Sequence, residues 1–198
     1  MVLTRSMTRT NLDSIYTPIE NRSENKNNDF IGYKLVFVEP ESIISGPKTD
    51  KVFGIAKLLI PSVCKTNLER DVVNKKYAKY RSEYAKVIYI KSIVGRTMYR
   101  RAYSVLKPGG YYVSGKYICC NKWNDNIDEV CTNGIHFYLS KQCVYSLYLS
   151  MTNTHINKTT IKNIINPLGT YICADDDGKI EYKAQFDKKG NLYKIKSY

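Results

Sequence analysis

The sequence predicts an α+β domain on a mixed or antiparallel sheet with one or two short helices, followed by a small C-terminal β-meander. Three observations carry this. The segments FIGYKLVFV, VFGIAKLLI, EYAKVIYIKSI, YYVSGKYI and GIHFYL have strand length, are rich in β-branched and aromatic residues, and are separated by Pro- and Gly-bearing punctuation. The stretch after GIHFYL opens with a capping serine and carries apolar residues at helical spacing. The tail from Thr170 alternates around two glycine turns, at Gly178 and Gly190. With 198 residues, 43% of them hydrophobic and 12% aromatic, the chain has material for a core and the size of one compact domain with a small appendage.

Residues 1–29 end in the polar tract ENRSENKNND and are expected to form a flexible basic arm. A central domain over 30–150 then begins with strands Phe30 to Val38 and Val52 to Ile60, the second ended by Pro61. Asn67 to Ser82 is polar, and Tyr77 and Tyr80 at i, i+3 suit a short helix or an ordered basic loop. Glu83 to Ile93 reads as a strand, although Tyr84, Val87, Tyr89 and Lys91 fall off a perfect period. Met98 to Val105 and Tyr111 to Ile118 flank Lys107-Pro108-Gly109-Gly110, which predicts a hairpin. Gly134 to Leu139 is a compact strand, and Ser140 N-caps a helix to Ser150 with Cys143, Leu147 and Tyr148 on one face. Residues 151–169 read as a linker. The meander at 170–198 turns at Asp177-Gly178, where glycine accepts positive φ in a type I′ turn, and at Lys188 to Asn191, with Ile180, Tyr182 and Ala184 on one side.

Thirty-one Lys and Arg against eighteen Asp and Glu leave a net charge of +13. Eleven basic residues against three acidic ones lie between Lys65 and Arg101, so most of the excess sits in that stretch. Such an excess favours an acidic partner, with a lysine-rich solvated face as the plainer explanation. A nucleic-acid surface would draw on Lys75, Lys76, Lys79, Arg81, Arg96, Arg100 and Arg101, with Tyr77, Tyr80, Tyr99 and Tyr103 interleaved. The cations would neutralise phosphates and release counterions, and the tyrosines would stack on unpaired bases. Among 18 tyrosines, some adjacency to lysine is inevitable, and inward packing is the competing expectation.

No apolar run approaches the roughly 20 residues of a membrane span; even Val87 to Val94 contains Tyr89, Lys91 and Ser92. The phosphate-loop, H-E-x-x-H and G-x-S-x-G signatures are missing, which removes the commonest nucleotide, metalloprotease and hydrolase classes. Six cysteines follow no secretory h-region and are expected as reduced thiols. Cys119, Cys120, Cys131, His136 and Cys143 include no Cys-x-x-Cys knuckle, so core thiols are expected and neither metal nor cofactor. A catalytic cluster would gather His136, Glu83 and Tyr138. The run G-I-H-F-Y-L-S followed by Tyr148 faintly resembles the nicotinamide-supporting region of ADP-ribosyltransferases, which implies an enzyme with a pocket near His136 as the alternative reading.

Four segments carry a broader likeness: Lys57 to Pro61 (KLLIP), Arg81 to Ala85 (RSEYA), Lys116 to Trp123 (KYICCNKW) and Cys131 to Phe137 (CTNGIHF). Over residues 52 to 149 they resemble an uncharacterised domain family of large DNA viruses and phages, with Tyr138 standing where that family usually has a second Phe. The tail, with Tyr171, Gly178, Tyr182, Phe186 and Gly190 in place, resembles one or two degenerate MORN-like repeats. The resemblance implies a viral origin and transfers no catalytic residues; with the charge pattern it leads to the expectation of a non-enzymatic viral accessory or virion-associated interaction module in host cytoplasm or virion. Its basic face would meet an acidic partner, nucleic acid among the candidates, and its meander would offer an edge to a protein.

Overall fold

A computed structural model describes residues 28–46, 53–105, 110–151, 170–186 and 192–198. The N-terminal arm before residue 28, the linker at 152–169, and the turn residues 106–109 and 187–191 lie outside the described residues. The α+β expectation holds, with β dominant. Among the described residues ten strands form one antiparallel sheet, with a single α-helix and a separate three-stranded antiparallel sheet.

The sheet is centred on β3 (Phe53–Ile60), flanked by β1 (Phe30–Val38) and β5 (Tyr84–Ser92). Each has alternate side chains on opposite faces, so residues of one parity enter the core together. Val36, Ala56, Leu58, Val87 and Ile90 are wholly buried on the inner face. Two long runs of chain change partners and roll the sheet around that face. The strand β4 (Lys79–Ser82) pairs with β10 (Ile135–Tyr138), and after Glu83 the same run continues as β5 against β3. The strands β6 (Met98–Tyr99) and β7 (Arg101–Ser104) are separated by one residue, yet β6 pairs with β5 and β7 with β1. One run therefore touches the outer edges of both strands that flank β3. Tyr99, Ala102, Tyr112 and Phe137 complete the enclosed core.

Smaller strands finish the sheet. β2 (Ile43–Ser45), after the 3₁₀ turn Pro40–Ser42, pairs with β6. The hairpin read between Met98 and Ile118 is present as β7 with β8 (Tyr111–Val113). Its second strand stops at Val113 because Gly115 takes φ +81°, and the chain resumes as β9 (Tyr117–Cys119) along β5. Of the short helix or ordered basic loop expected within 67–82, the loop is what forms. That stretch is loop up to β4, and Tyr77 and Tyr80 share burial through tertiary packing rather than a helix face.

Helix α1 (Lys141–Met151) begins where Ser140 Oγ accepts from the Gln142 N–H, at 3.2 Å. Its buried side is Cys143, Val144, Ser146 and Leu149, not the face through Leu147 and Tyr148. The reason is that α1 is sandwiched. Val144 and Leu149 pack on Leu35 and Ile55 of the outer sheet face, while Ser146 Oγ donates to the Ile172 carbonyl on the other side. That carbonyl belongs to β11 (Thr170–Ala174), which pairs with β12 (Ile180–Phe186), and β12 pairs with β13 (Leu192–Ser197). Tyr171 and Ala184 thereby enter the same core as α1.

The β11–β12 turn differs from the two-residue form expected at Asp177-Gly178. Asp175 and Lys179 close the loop, and the Gly178 N–H donates to the Asp175 carbonyl with Gly178 at φ +79°. This is the geometry of a three-residue hairpin loop, in which the last residue must be left-handed.

A basic face on the rolled sheet

The sequence-derived basic residues are dispersed by the fold. Lys75 and Lys76 are exposed in the loop before β4, and Arg96 is exposed in the turn after β5. The run Lys79 to Ser92 lies between them, and at about 3.3 Å per residue this is on the order of 40 Å of extended chain, less its bend. Arg100 is exposed between β6 and β7, and Arg101 pairs with Glu39. Of the interleaved tyrosines, Tyr77, Tyr80 and Tyr99 are buried and only Tyr103 is open, at 41% exposure.

Arg81 and Lys79 are buried rather than on the solvent face, and the contacts they make are to the protein itself. Arg81 is 0% exposed. Its Nε donates to the Glu129 carbonyl (2.8 Å), its Nη1 to those of Asn124 (2.7 Å) and Asn133 (3.2 Å), and its Nη2 to that of Asn126. The guanidinium carbon lies 4.3 Å from the Trp123 ring centroid. Removal from water pulls the Arg81 pKa below its ordinary value. The residue is a scaffold for the loop between β9 and β10. Lys79 Nζ is 3.1 Å from Asp176 Oδ2 and 3.2 Å from Cys131 Sγ. Burial works to lower its pKa, but Asp176 and Cys131 outweigh it and hold the ammonium above its ordinary range.

The expected catalytic candidates lie in two places: His136 and Tyr138 on β10, and Glu83 between β4 and β5. His136 Nε2 sits 2.7 Å from the Val130 carbonyl, and Tyr138 is held protonated by burial, its pKa pushed far upward. Glu83 forms the bend between β4 and β5, its N–H bonded to Lys65 O and its carbonyl to Cys120 N–H. The cysteines are free thiols, and burial pushes Cys64 up to about 11 and Cys143 up to about 12. Among the described residues no group of three or more His, Cys, Asp or Glu could hold a metal ion.

A basic and aromatic grouping does exist, on residues that no motif singles out. On the outer face, Tyr33, Lys57 and Tyr89 stand in register across β1, β3 and β5. One residue pair along, Ile31, Leu59, Lys86 and Tyr117 form a second row reaching β9. Lys57 Nζ lies 5.8 Å from the Tyr89 ring centroid, Lys86 Nζ 5.7 Å from that of Tyr117, and Lys141 Nζ 5.1 Å from that of Tyr33. Lys91 follows on β5 opposite Ile55, where α1 covers the neighbouring apolar positions.

A β-bulge sets this face. Lys57 pairs with Tyr89 and Leu58 with Val87, so Ile88 has no partner on β3 and stands exposed. The extra residue shifts the phase of β5, which lets Val87 and Ile90 both point inward and turns Tyr89 and Lys91 outward. The turn before β9 supports it: Val87 N–H donates to Lys116 O (2.8 Å) and Gly115 N–H to Val87 O (2.7 Å). That pair of bonds also brings exposed Lys116 to the edge of the face. The phase slip is visible in the sequence, as is the basic stretch 65–101 that contains Lys86 and Lys91.

Fold and surface together define a small rolled antiparallel β-domain with a lysine- and tyrosine-bearing outer face. The chain belongs to a family of unknown function, DUF5758, whose model matches residues 21–143. The match ends inside α1, so the three-stranded sheet lies beyond it. No curated protein and no solved structure matches the chain.

Proposed function

We propose that this chain is a non-enzymatic interaction module, a viral accessory or virion-associated protein, that attaches electrostatically to an acidic partner. The observation that supports this reading is the outer sheet face, where Lys57, Lys86 and Lys91 stand on neighbouring strands with Lys116 at their edge. Holding several ammonium groups on one face costs self-repulsion that a counter-charge relieves. The same reading treats the C-terminal three-stranded sheet as a degenerate MORN-like unit, with β13 as an edge available to a protein partner.

Retention of the full chain on immobilised heparin across a salt gradient tests this. The triple variant K57E/K86E/K91E is expected to elute at clearly lower salt than wild type, and K75E/K76E to shift it less. Equal elution of wild type and triple variant would refute the face as the attachment surface.

A further inference from the structure

We infer that the acidic partner of the outer sheet face is a single-stranded nucleic acid, an inference that rests on the interaction-module reading and adds the partner class to it. Simple attraction to a polyanion requires only the lysines. Here each row also carries a half-buried tyrosine: Tyr89 and Tyr33 in one, and in the next Tyr117, which packs on the inner core beside Tyr84 while Lys86 lies over its ring. A half-buried ring on a pleated sheet is held in a fixed orientation and can receive a base at little conformational cost, since packing has already restricted its rotamers.

The ammonium groups of Lys57, Lys86 and Lys141 lie over the rings of Tyr89, Tyr117 and Tyr33, 5.1 to 5.8 Å from the centroids, so an arriving base displaces a flexible lysine from the ring while its phosphate keeps that cation nearby. A base stacked on such a ring would have its own phosphate within reach of the adjacent cation. Successive rows on one face are about 7 Å apart and adjacent strands about 4.8 Å apart, so Tyr33 and Tyr89, two strands apart, stand on the order of 10 Å from each other, a span one extended nucleic-acid strand can cross. Apolar Ile31 and Leu59 stand in the second row and exposed Ile88 adjoins Tyr89 at the bulge, as contacts for ribose and base edges. A duplex encloses its bases and would leave the tyrosines unused, because only the phosphates would meet the sheet. The bulge at Ile88 supplies the last part of the argument. Without it Tyr89 would follow regular alternation into the core, and its presence aims an aromatic ring at the basic surface.

Fluorescence anisotropy of the full chain tests the inference, with a labelled single-stranded RNA 20-mer, the matching single-stranded DNA, a duplex of equal length and heparin as competitor, across a salt series. Wild type is expected to bind either single strand at least tenfold more tightly than the duplex at equal salt. Tyr89→Leu should weaken single-strand binding about fivefold or more without altering the salt slope, and Tyr89→Phe should retain it, because stacking needs the ring and not the hydroxyl. Lys57→Gln with Lys91→Gln should lower the slope by about one for each phosphate that is no longer neutralised. Equal affinity for single strand and duplex would overturn the single-strand inference while leaving attachment to an acidic partner standing. Absence of binding to every polyanion at low salt would overturn both. Should Tyr89→Leu fail to fold by circular dichroism, the wild-type comparison of single strand with duplex decides alone.

Discussion

Two buried arginines hold loops in this protein, and they do it by different chemistry. Arg81 spends its donors on backbone carbonyls of Asn124, Asn126, Glu129 and Asn133, all within the span matched by the family. Arg70, 5% exposed, donates to the Asp177 carboxylate and to the carbonyls of Asp176 and Lys79, tying the family domain to the hairpin beyond it. The Asn74 N–H to Asp177 O and Lys79 N–H to Asp176 O bonds lock the same hairpin loop by its backbone. A carbonyl cage satisfies the donors of the cation with backbone oxygens and builds the fold from within. A carboxylate latch joins two pieces and depends on the charges of both.

The largest effect should come from breaking the cage. Arg81→Met keeps an unbranched chain but removes the guanidinium and leaves several buried carbonyls unpaired, so urea unfolding should show a loss of about 3 kcal/mol or more. Arg81→Lys should recover only part of this, since one ammonium cannot reproduce the planar fork. A loss below about 1 kcal/mol for Arg81→Met would show that the loop finds other partners.

Breaking the latch should be milder and local. At Gly178 a Cβ would stand 2.2 Å from the Asn74 carbonyl oxygen and 2.8 Å from the Ala78 nitrogen, and the φ of +79° is itself unfavourable for alanine. Gly178→Ala should undock the hairpin tip at a cost of about 2 kcal/mol. Amides of β11 and β12 should exchange faster while those of β1, β3 and β5 keep their protection. Uniform acceleration in both sheets would mean that they unfold as one cooperative unit.

The smallest effect sharpens the contrast through pH. Cys64 and Cys143 have pKa values raised by burial to about 11 and about 12 from an ordinary 9.0. Burial works against the Lys79 ammonium, but Asp176 holds it above its ordinary 10.5. A raised folded-state pKa contributes stability that is complete below the unfolded value and is lost as pH climbs through the folded one. Stability should hold up to about pH 9 and decline between there and 12, with the contribution of the Lys79 pairing with Asp176 beginning to fall above its ordinary 10.5. Denaturant melts at unit pH steps check the sign, and Cys143→Ala should flatten part of the slope.

Much of the fold is legible in the residues. Phe30 to Val38 and the Ser140 cap appear where the pattern places them, since strand alternation and helix capping are decided within a few residues. The run 79–82 is not legible in this way. Its strand character comes from pairing with β10, and Tyr77 and Tyr80 mimic a helix spacing by chance. The buried helix face differs from the expected one for a similar reason: Ser146 is buried because β11 presents the Ile172 carbonyl to it. For the surface, local density of Lys and Arg in 65–101 is the visible feature, yet Lys79 and Arg81 are interior, and Lys57 from an earlier strand stands beside Tyr89.

Most of the strand segments, the start of the one helix, the turn of the tail at Gly178 and the amount of positive charge on the chain all follow from the residues alone. What each charge is for was settled only when the chain folded. The Arg81 acceptors lie 43 to 52 residues away and Asp177 lies 107 residues from Arg70. Local pattern reaches only a few residues along the chain, whereas the desolvation of a cation is settled by the donors, acceptors and rings that folding brings around it.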